Sequence, residues 1–394
     1  MSSVLVVSTL MFIGMLGVLF LWDSEHLLAA RYFFREQQRA HLSSAVVKYC
    51  QDTLFCIGFR QDTSLMLFPG LATSEVGFYR KRWGLYEMLL LTAGDEKKCC
   101  LMGKVDEGYS RAALYLPERG RTLSIAGKSR IEGKLYIGGQ GVAYTQVRSE
   151  FFDGTPVAPS DICRSGEMLP SPAPEITAYV GELFRYAIEE WPEAENFGQA
   201  TFAGPVEYRR IGQEIKAMGL TGPYVLCAAD SLYIRGDCRL RGVIIVAGKV
   251  RIGTGFKGAG QVFARDAIGL EERVVLQAGS GLWVNGGTRW RSVRLGENCR
   301  VDGYVVVRGN TEQPQSPYAH YHQPSSAVVR GLVYVDGIAD VRGVVEGSLY
   351  AGELCHFASE GYYADLFYNV SVCRSPGTVY PFLIKGPVER REVK

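Results

Sequence analysis

Histidine is scarce in this chain, five residues in 394, and none of its ten cysteines stands in a CxxC pair. A zinc ribbon or a thioredoxin-type redox centre is therefore not expected. Charge of one sign is missing as well: 43 basic residues stand against 41 acidic ones, for a net charge of +2. No global field points to nucleic acid, and the short run Arg80-Lys81-Arg82 reads as a solvated face. Nucleotide motifs occur only as fragments. Ala126-Gly127-Lys128-Ser129 has Thr122 where a P-loop needs its upstream glycine, and no helical pattern follows. Gly253-Thr254-Gly255-Phe256-Lys257-Gly258 spells GxGxxG, but Gln261-Val262-Phe263 after it reads as strand, so the glycines read as a chain corner. No cofactor is expected.

The cysteines (50, 56, 99, 100, 163, 227, 238, 299, 355, 373) are scattered. Cys227, Cys238 and Cys299 lie in strand-like phrases, where a free thiol behaves as a small buried hydrophobe; disulfides in an oxidising compartment are the alternative. Cys99 and Cys100 follow Lys97 and Lys98, a setting that lowers a thiol pKa, so a vicinal redox pair is the functional alternative there.

What the chain does have begins at its amino end. Val4–Trp22 runs without a charge, long enough at about 1.5 Å per residue to cross a hydrocarbon core of about 30 Å. Trp22 closes it, Asp23 and Glu25 follow, and no basic residue precedes it, so a retained single span is expected rather than a cleaved signal peptide. Arg31, Arg35 and Arg39 behind the span favour a cytoplasmic body, whereas large domains translocate largely regardless of flanking charge. The expectation is an inner-membrane, single-pass protein with a periplasmic body, a cytoplasmic body being the alternative. From Ser24 to Asp52 neither glycine nor proline interrupts a helical pattern carrying Leu27, Leu28, Tyr32, Arg35, Arg39, Leu42, Val46 and Tyr49.

Glycine is abundant, 46 residues, about twice the ordinary usage of roughly 7%. It cuts short apolar runs in a recurring phrase: Leu240-Arg241-Gly242-Val243-Ile244-Ile245-Val246, Val301-Asp302-Gly303-Tyr304-Val305-Val306-Val307, Val329-Arg330-Gly331-Leu332-Val333-Tyr334-Val335, and Val341-Arg342-Gly343-Val344-Val345. An earlier copy is Ile131-Glu132-Gly133-Lys134-Leu135-Tyr136-Ile137. Branched residues suit a pleated surface and glycine lets the backbone turn or approach a neighbour closely. Repetition of such a unit predicts stacked coils. The expected fold is mainly β, a right-handed parallel β-helix (β-solenoid) preceded by a transmembrane helix and a helical stalk, with a small β-rich module and a helical insertion. By residue, the span is 1–23, the stalk 24–59 and the β-rich module 60–120. A first solenoid-like segment covers 121–168. The Pro-rich linker and its helix, read as a cap for an open coil end, cover 169–222. The solenoid proper is 223–370 and a tail follows over 371–394.

No catalytic residue is expected. His320-Tyr321-His322, placed in a Pro/Gln/Ser-rich loop Asn310–Ser326, and His356 are weak metal candidates, and histidines at i, i+2 in such a loop read as solvated. Cleavage of carbohydrate would need two carboxylates on one face; Asp302, Asp336, Asp340 and Glu346 are near one another in sequence. Tyrosines and arginines along the coils suit contact with a protein or a glycan.

Several resemblances rest on particular residues. A long helix continuing an apolar span resembles the layout of type IV pilins and pseudopilins. Leu295-Gly296-Glu297-Asn298-Cys299-Arg300-Val301 resembles one hexapeptide of the left-handed β-helix acyltransferases, whose unbroken succession of hexads is absent here. Lys81-Arg82-Trp83-Gly84-Leu85-Tyr86, Ala113-Leu114-Tyr115-Leu116, Gly255-Phe256-Lys257-Gly258, Gly331-Leu332-Val333-Tyr334, Gly347-Ser348-Leu349-Tyr350 and Leu366-Phe367-Tyr368-Asn369 follow span and stalk. In that order they are similar to an uncharacterised family of single-pass envelope proteins of Bacteroidota. The Ile-x-Gly-x-Leu-x-Ile phrasing resembles bactofilins, polymer-forming β-helix scaffolds. These likenesses imply a membrane-anchored, non-enzymatic scaffold or assembly component of a bacterial envelope, with a protein partner or self-association, and a glycan as a further partner class. An enzyme or lectin acting on envelope polysaccharide and a pilin-like component are the alternatives.

Overall fold

The computed structural model describes residues 2–51, 62–70, 74–105, 112–186, 200–285, 291–309, 319–359, 361–374, 377–384 and 389–393. The chain divides into one unit of residues 1–80 and 89–99 and another of 81–88 and 100–394; it is mainly β, with one long apolar helix at its start.

In the first unit, helix α1 (Ser2–Gln51) is unbroken. Large apolar side chains from Val4 to Trp22 all face outward. Among the described residues α1 is the helix long and apolar enough to cross a membrane. Its second half behaves differently: Leu42, Ala45, Val46 and Tyr49, one helical stripe, are buried. That half meets β-structure of its own unit. The His41 ring lies 5.6 Å from that of Phe68, and Arg39 Nε lies 3.4 Å from Glu96 Oε2. Strand Asp62–Met66 pairs antiparallel with the start of Glu75–Trp83, Asp62 opposite Tyr79.

The second unit is built on parallel strands whose hydrogen-bond network closes on itself. Its registers trace three columns. The first runs Leu226, Ile245, Val262, Leu282, Val305, Val333, Leu349, with each residue opposite the next. It does not stop there. Leu349 pairs with Leu114, Leu114 with Leu135, and Leu135 with Ile162, so the earlier segment of the chain stacks beyond the later one. The second column is Leu232, Val250, Ile268, Val293, Tyr321, Ala339, Leu354. The third is Leu276, Val301, Val329, Val345, Val372, Ile131. Nearly all these side chains belong to one buried apolar core.

The recurring phrase explains itself in this frame. Val301, Val329 and Val345 point inward on the third face, the next residue points outward, and a glycine then turns the chain onto the first face. Val341-Arg342-Gly343, expected as a copy, is not one, since Val341 lies opposite Gln323 and Val345-Glu346-Gly347 takes the corner. Gly303, Gly331 and Gly347 stack at that corner with φ of +156°, +138° and +156°. A Cβ on any of them would meet a carbonyl oxygen of the preceding rung, so only glycine fits.

Strands of the first face are apolar on both sides, because their outward residues are covered too. Val225, Ile244, Phe263, Trp283, Tyr304, Val306 and Tyr334 join a second buried cluster with helix α2 (Pro174–Tyr186) and segment 377–384. Ile176, Val180 and Leu183 are the stripe α2 contributes. The helix expected to cap a coil end thus lies against the outer side of this face, where two apolar surfaces bury each other; the Tyr186 ring sits 5.3 Å from Tyr208. Buried Gln261 fastens the Trp83–Tyr86 turn to the same face. Its Oε1 accepts from Leu85 N at 2.9 Å and from the Tyr304 hydroxyl at 2.7 Å, and its Nε2 donates to Trp83 O at 2.8 Å.

Candidate functional site

The histidine tripeptide is strand, not open loop; residues 310–318 of the expected loop lie outside the described residues. In Ala319–Gln323, Ala319, Tyr321 and Gln323 are buried while His320 and His322 alternate outward. His320 lies opposite Ser292 and Ile338, and His322 opposite Arg294 and Asp340. His322 Nδ1 lies 2.9 Å from Asp340 Oδ2. His356 stands on another strand, Val344–Ala358, its ring 5.2 Å from that of Tyr368. The three weak metal candidates are therefore not brought together. Among the described residues no group of three His, Cys, Asp or Glu side chains is placed to hold a metal.

The four carboxylates are spread over structural pairs. Arg300 grips Asp302 through two bonds of 2.9 and 2.6 Å. Arg330 Nε donates to Glu346 at 2.6 Å. Arg342 holds Asp340 through bonds of 3.0 and 2.9 Å. Burial pushes the Asp340 carboxyl up, but the bonds from His322 and Arg342 outweigh it and leave it below the ordinary aspartate range. Asp336 lies within electrostatic reach of Arg291. The carboxyl held high is one the sequence did not mark, Asp365. Burial raises it first and the charge of Glu353 adds to this, while Arg121 lies 3.4 Å from Asp365 and 3.3 Å from Glu353. Arg119 adds a 2.7 Å pair to Glu353, so two arginines balance two carboxylates. That arrangement suits a corner clasp better than an acid–base couple.

No disulfide joins any two of the described cysteines. Cys227, Cys238 and Cys299 are buried, and burial pushes the Cys227 thiol up to about 12. The Cys238 thiol donates to Ile215 O and that of Cys299 to Glu271 O, at 3.3 and 2.9 Å. Cys99 is exposed and Cys100 buried, as alternation along a strand requires, so the two thiols do not form a vicinal pair on one face.

Two features emerge only from the stacking. One end of the first column is charged. Arg209 stands opposite Leu226 and Glu207 opposite the buried Tyr224, both at inward positions, and they pair with each other at 2.8 Å while about one-third exposed. At the other end Arg164 stands opposite Ile137, 4.0 Å from Glu118. The second feature is a groove beside the glycine corner, with a volume of about 560 Å3. Gly279 and Gly303 leave part of its wall without side chains, and the charged residues lining it are Arg300, Asp302, Arg330, Glu346, Arg391 and Glu392. Asp302, Arg330 and Glu346 come from successive rungs. Arg391 is exposed, and among the described residues no carboxylate forms an ion pair with it.

No protein-family model, curated protein or solved structure matches this chain.

Proposed function

We propose that the protein is a non-enzymatic scaffold of a bacterial cell envelope, held by one inner-membrane span and presenting the side of a β-solenoid to a partner. The observation that carries this reading is how its polar groups are used: apart from those in the groove, the histidines, carboxylates and thiols tested above serve the stack itself, as pairs, corner clasps and core filling. On this reading the coils form a right-handed parallel β-helix, the hand that parallel β-crossover-β connections adopt almost without exception. The body is periplasmic, with α1 setting its distance from the bilayer. A cytoplasmic body is the reading that Arg31, Arg35 and Arg39 support.

Two experiments test this. Cysteine placed at Lys249, an exposed outward position, in a chain whose native cysteines are substituted, should react with an impermeant maleimide once the outer membrane is opened. Labelling only after lysis would put the body in the cytoplasm. A chain carrying His320→Ala, His322→Ala and His356→Ala should complement a deletion strain fully; loss of complementation by a chain that still folds, as judged by circular dichroism, would sink the non-enzymatic reading.

A pilin-like role is a second reading, supported by α1, which projects its apolar first half and buries its second half on antiparallel strands of its own unit. Cysteine at exposed Leu27 should then cross-link to a second copy in membranes.

A further inference from the structure

We propose that the groove beside the glycine corner binds a carboxylated sugar, a uronate within a short oligosaccharide. The inference rests on the scaffold reading, in that it names the chemistry of a partner that addresses the side of the stack.

The lining decides the ligand class. Arg300 and Arg330 each already hold a carboxylate, Asp302 and Glu346 respectively. Arg391 is the guanidinium left for a ligand anion, and a planar fork of N–H donors matches a carboxylate. Asp302 and Glu346 accept hydrogen bonds and cannot donate when ionised, so groups seated against them must be donors. A uronate supplies both needs on one ring: a single carboxylate and several hydroxyls. Ligands dense in charge, such as a polyglutamate or polyphosphate, would set their further anions against Asp302 and Glu346, where like charge repels. A wholly neutral sugar would leave Arg391 unanswered. Geometry points the same way. Asp302, Arg330 and Glu346 occur on successive rungs, about 4.8 Å apart, so the polar rim runs along the stack axis and favours an extended chain lying across the strands. The glycines in the wall let such a chain approach the backbone.

The test uses the full chain in detergent micelles and isothermal titration calorimetry with trigalacturonate. Saturable binding is expected. Arg391→Ala should weaken it about tenfold to a hundredfold, the effect of losing one charge-assisted bond, and Arg391→Lys should recover part of the loss. Maltotriose, a neutral trisaccharide, should bind far more weakly. Absence of saturable trigalacturonate binding, or equal binding by Arg391→Ala, overturns the proposal. Triglutamate binding as tightly as trigalacturonate overturns it in favour of an acidic peptide. Arg391→Ala should fold and sediment with membranes as the wild type does. The inference therefore fails or stands separately from the anchoring and complementation tests of the scaffold reading.

Discussion

Replacing Gly331 by alanine tests the stacked corner directly. Gly331 has a φ of +138°, and a Cβ there would lie well inside 3 Å of the Gly303 carbonyl oxygen. Two costs add. An L-residue in that conformation is strained by roughly 1–3 kcal/mol. The Cβ also meets backbone rather than a flexible side chain, so the corner must open and weaken the pairing between Val328–Val341 and Arg300–Val307. Together they should destabilise the body by about 3–5 kcal/mol, in the range reserved for a few named mechanisms. For a body this large, about 2–4 °C of melting temperature accompanies each kcal/mol, so a fall on the order of 10 °C is expected. Thermal unfolding of the full chain in detergent, followed by far-ultraviolet circular dichroism, would read it. Gly269→Ala is the control, because nothing lies within 4 Å of a Cβ there and its φ is outside the left-handed region; it should stay within about 1 kcal/mol of the wild type. If Gly331→Ala melts within about 2 °C of the wild type, the glycines do not make the corner as argued.

Other substitutions probe other parts of the stack. Gln261→Leu leaves Leu85 N, Trp83 O and the Tyr304 hydroxyl without their partner in a buried place. It should cost about 2–4 kcal/mol and speed amide exchange at Leu85. Asp340 has a lowered folded pKa, so its contribution is present above the ordinary aspartate range and is lost as pH falls through the folded value. The stability gap between wild type and Asp340→Asn should therefore persist at neutral pH and close below about pH 4, and a constant gap would refute the assignment. Glu207→Leu combined with Arg209→Leu removes the charges that end the first column, and should raise self-association of the full chain in sedimentation velocity. An unchanged sedimentation profile would mean that this pair does not guard the edge.

The phrase with its central glycine was the most legible part of the sequence, because both inward valine and glycine are dictated by one backbone path. Val301-Asp302-Gly303 reads in, out, corner, and the structure puts it there. The order of stacking was not legible. Period-two alternation tells which side of a strand is buried but not which strand lies beside it; nothing in Ile131-Glu132-Gly133 says that it pairs with Ser371–Cys373. The helix 174–186 showed its apolar stripe but not its destination, since a coil end and an apolar outer face make the same demand. The histidines were misplaced by their Pro/Gln/Ser surroundings, although the alternation Ala319, Tyr321, Gln323 was a strand signal within the same stretch. The groove had no local signature at all: Arg300, Arg330, Glu346 and Arg391 meet only once the rungs are stacked.

The charged end bears on whether such a stack can grow. Polymers of β-helix units grow by adding a rung to an exposed terminal coil, which needs an apolar interior left open there. Here the inward positions that carry Leu, Val and Ile along the first column change to Arg209 and Glu207 at one end, while at the other the column closes on half-buried Ile162. Burying the Glu207–Arg209 pair, about one-third exposed, under another copy would strip both charges of water, a cost that their mutual attraction does not reliably offset. Head-to-tail growth through the first face is therefore opposed at the Glu207–Arg209 end. The outer side of that face is occupied by α2 and segment 377–384. The glycine corner adjoins it, between the third face and the first, and of the guanidinium groups in the groove there Arg391 is the one without an ion pair to a described carboxylate.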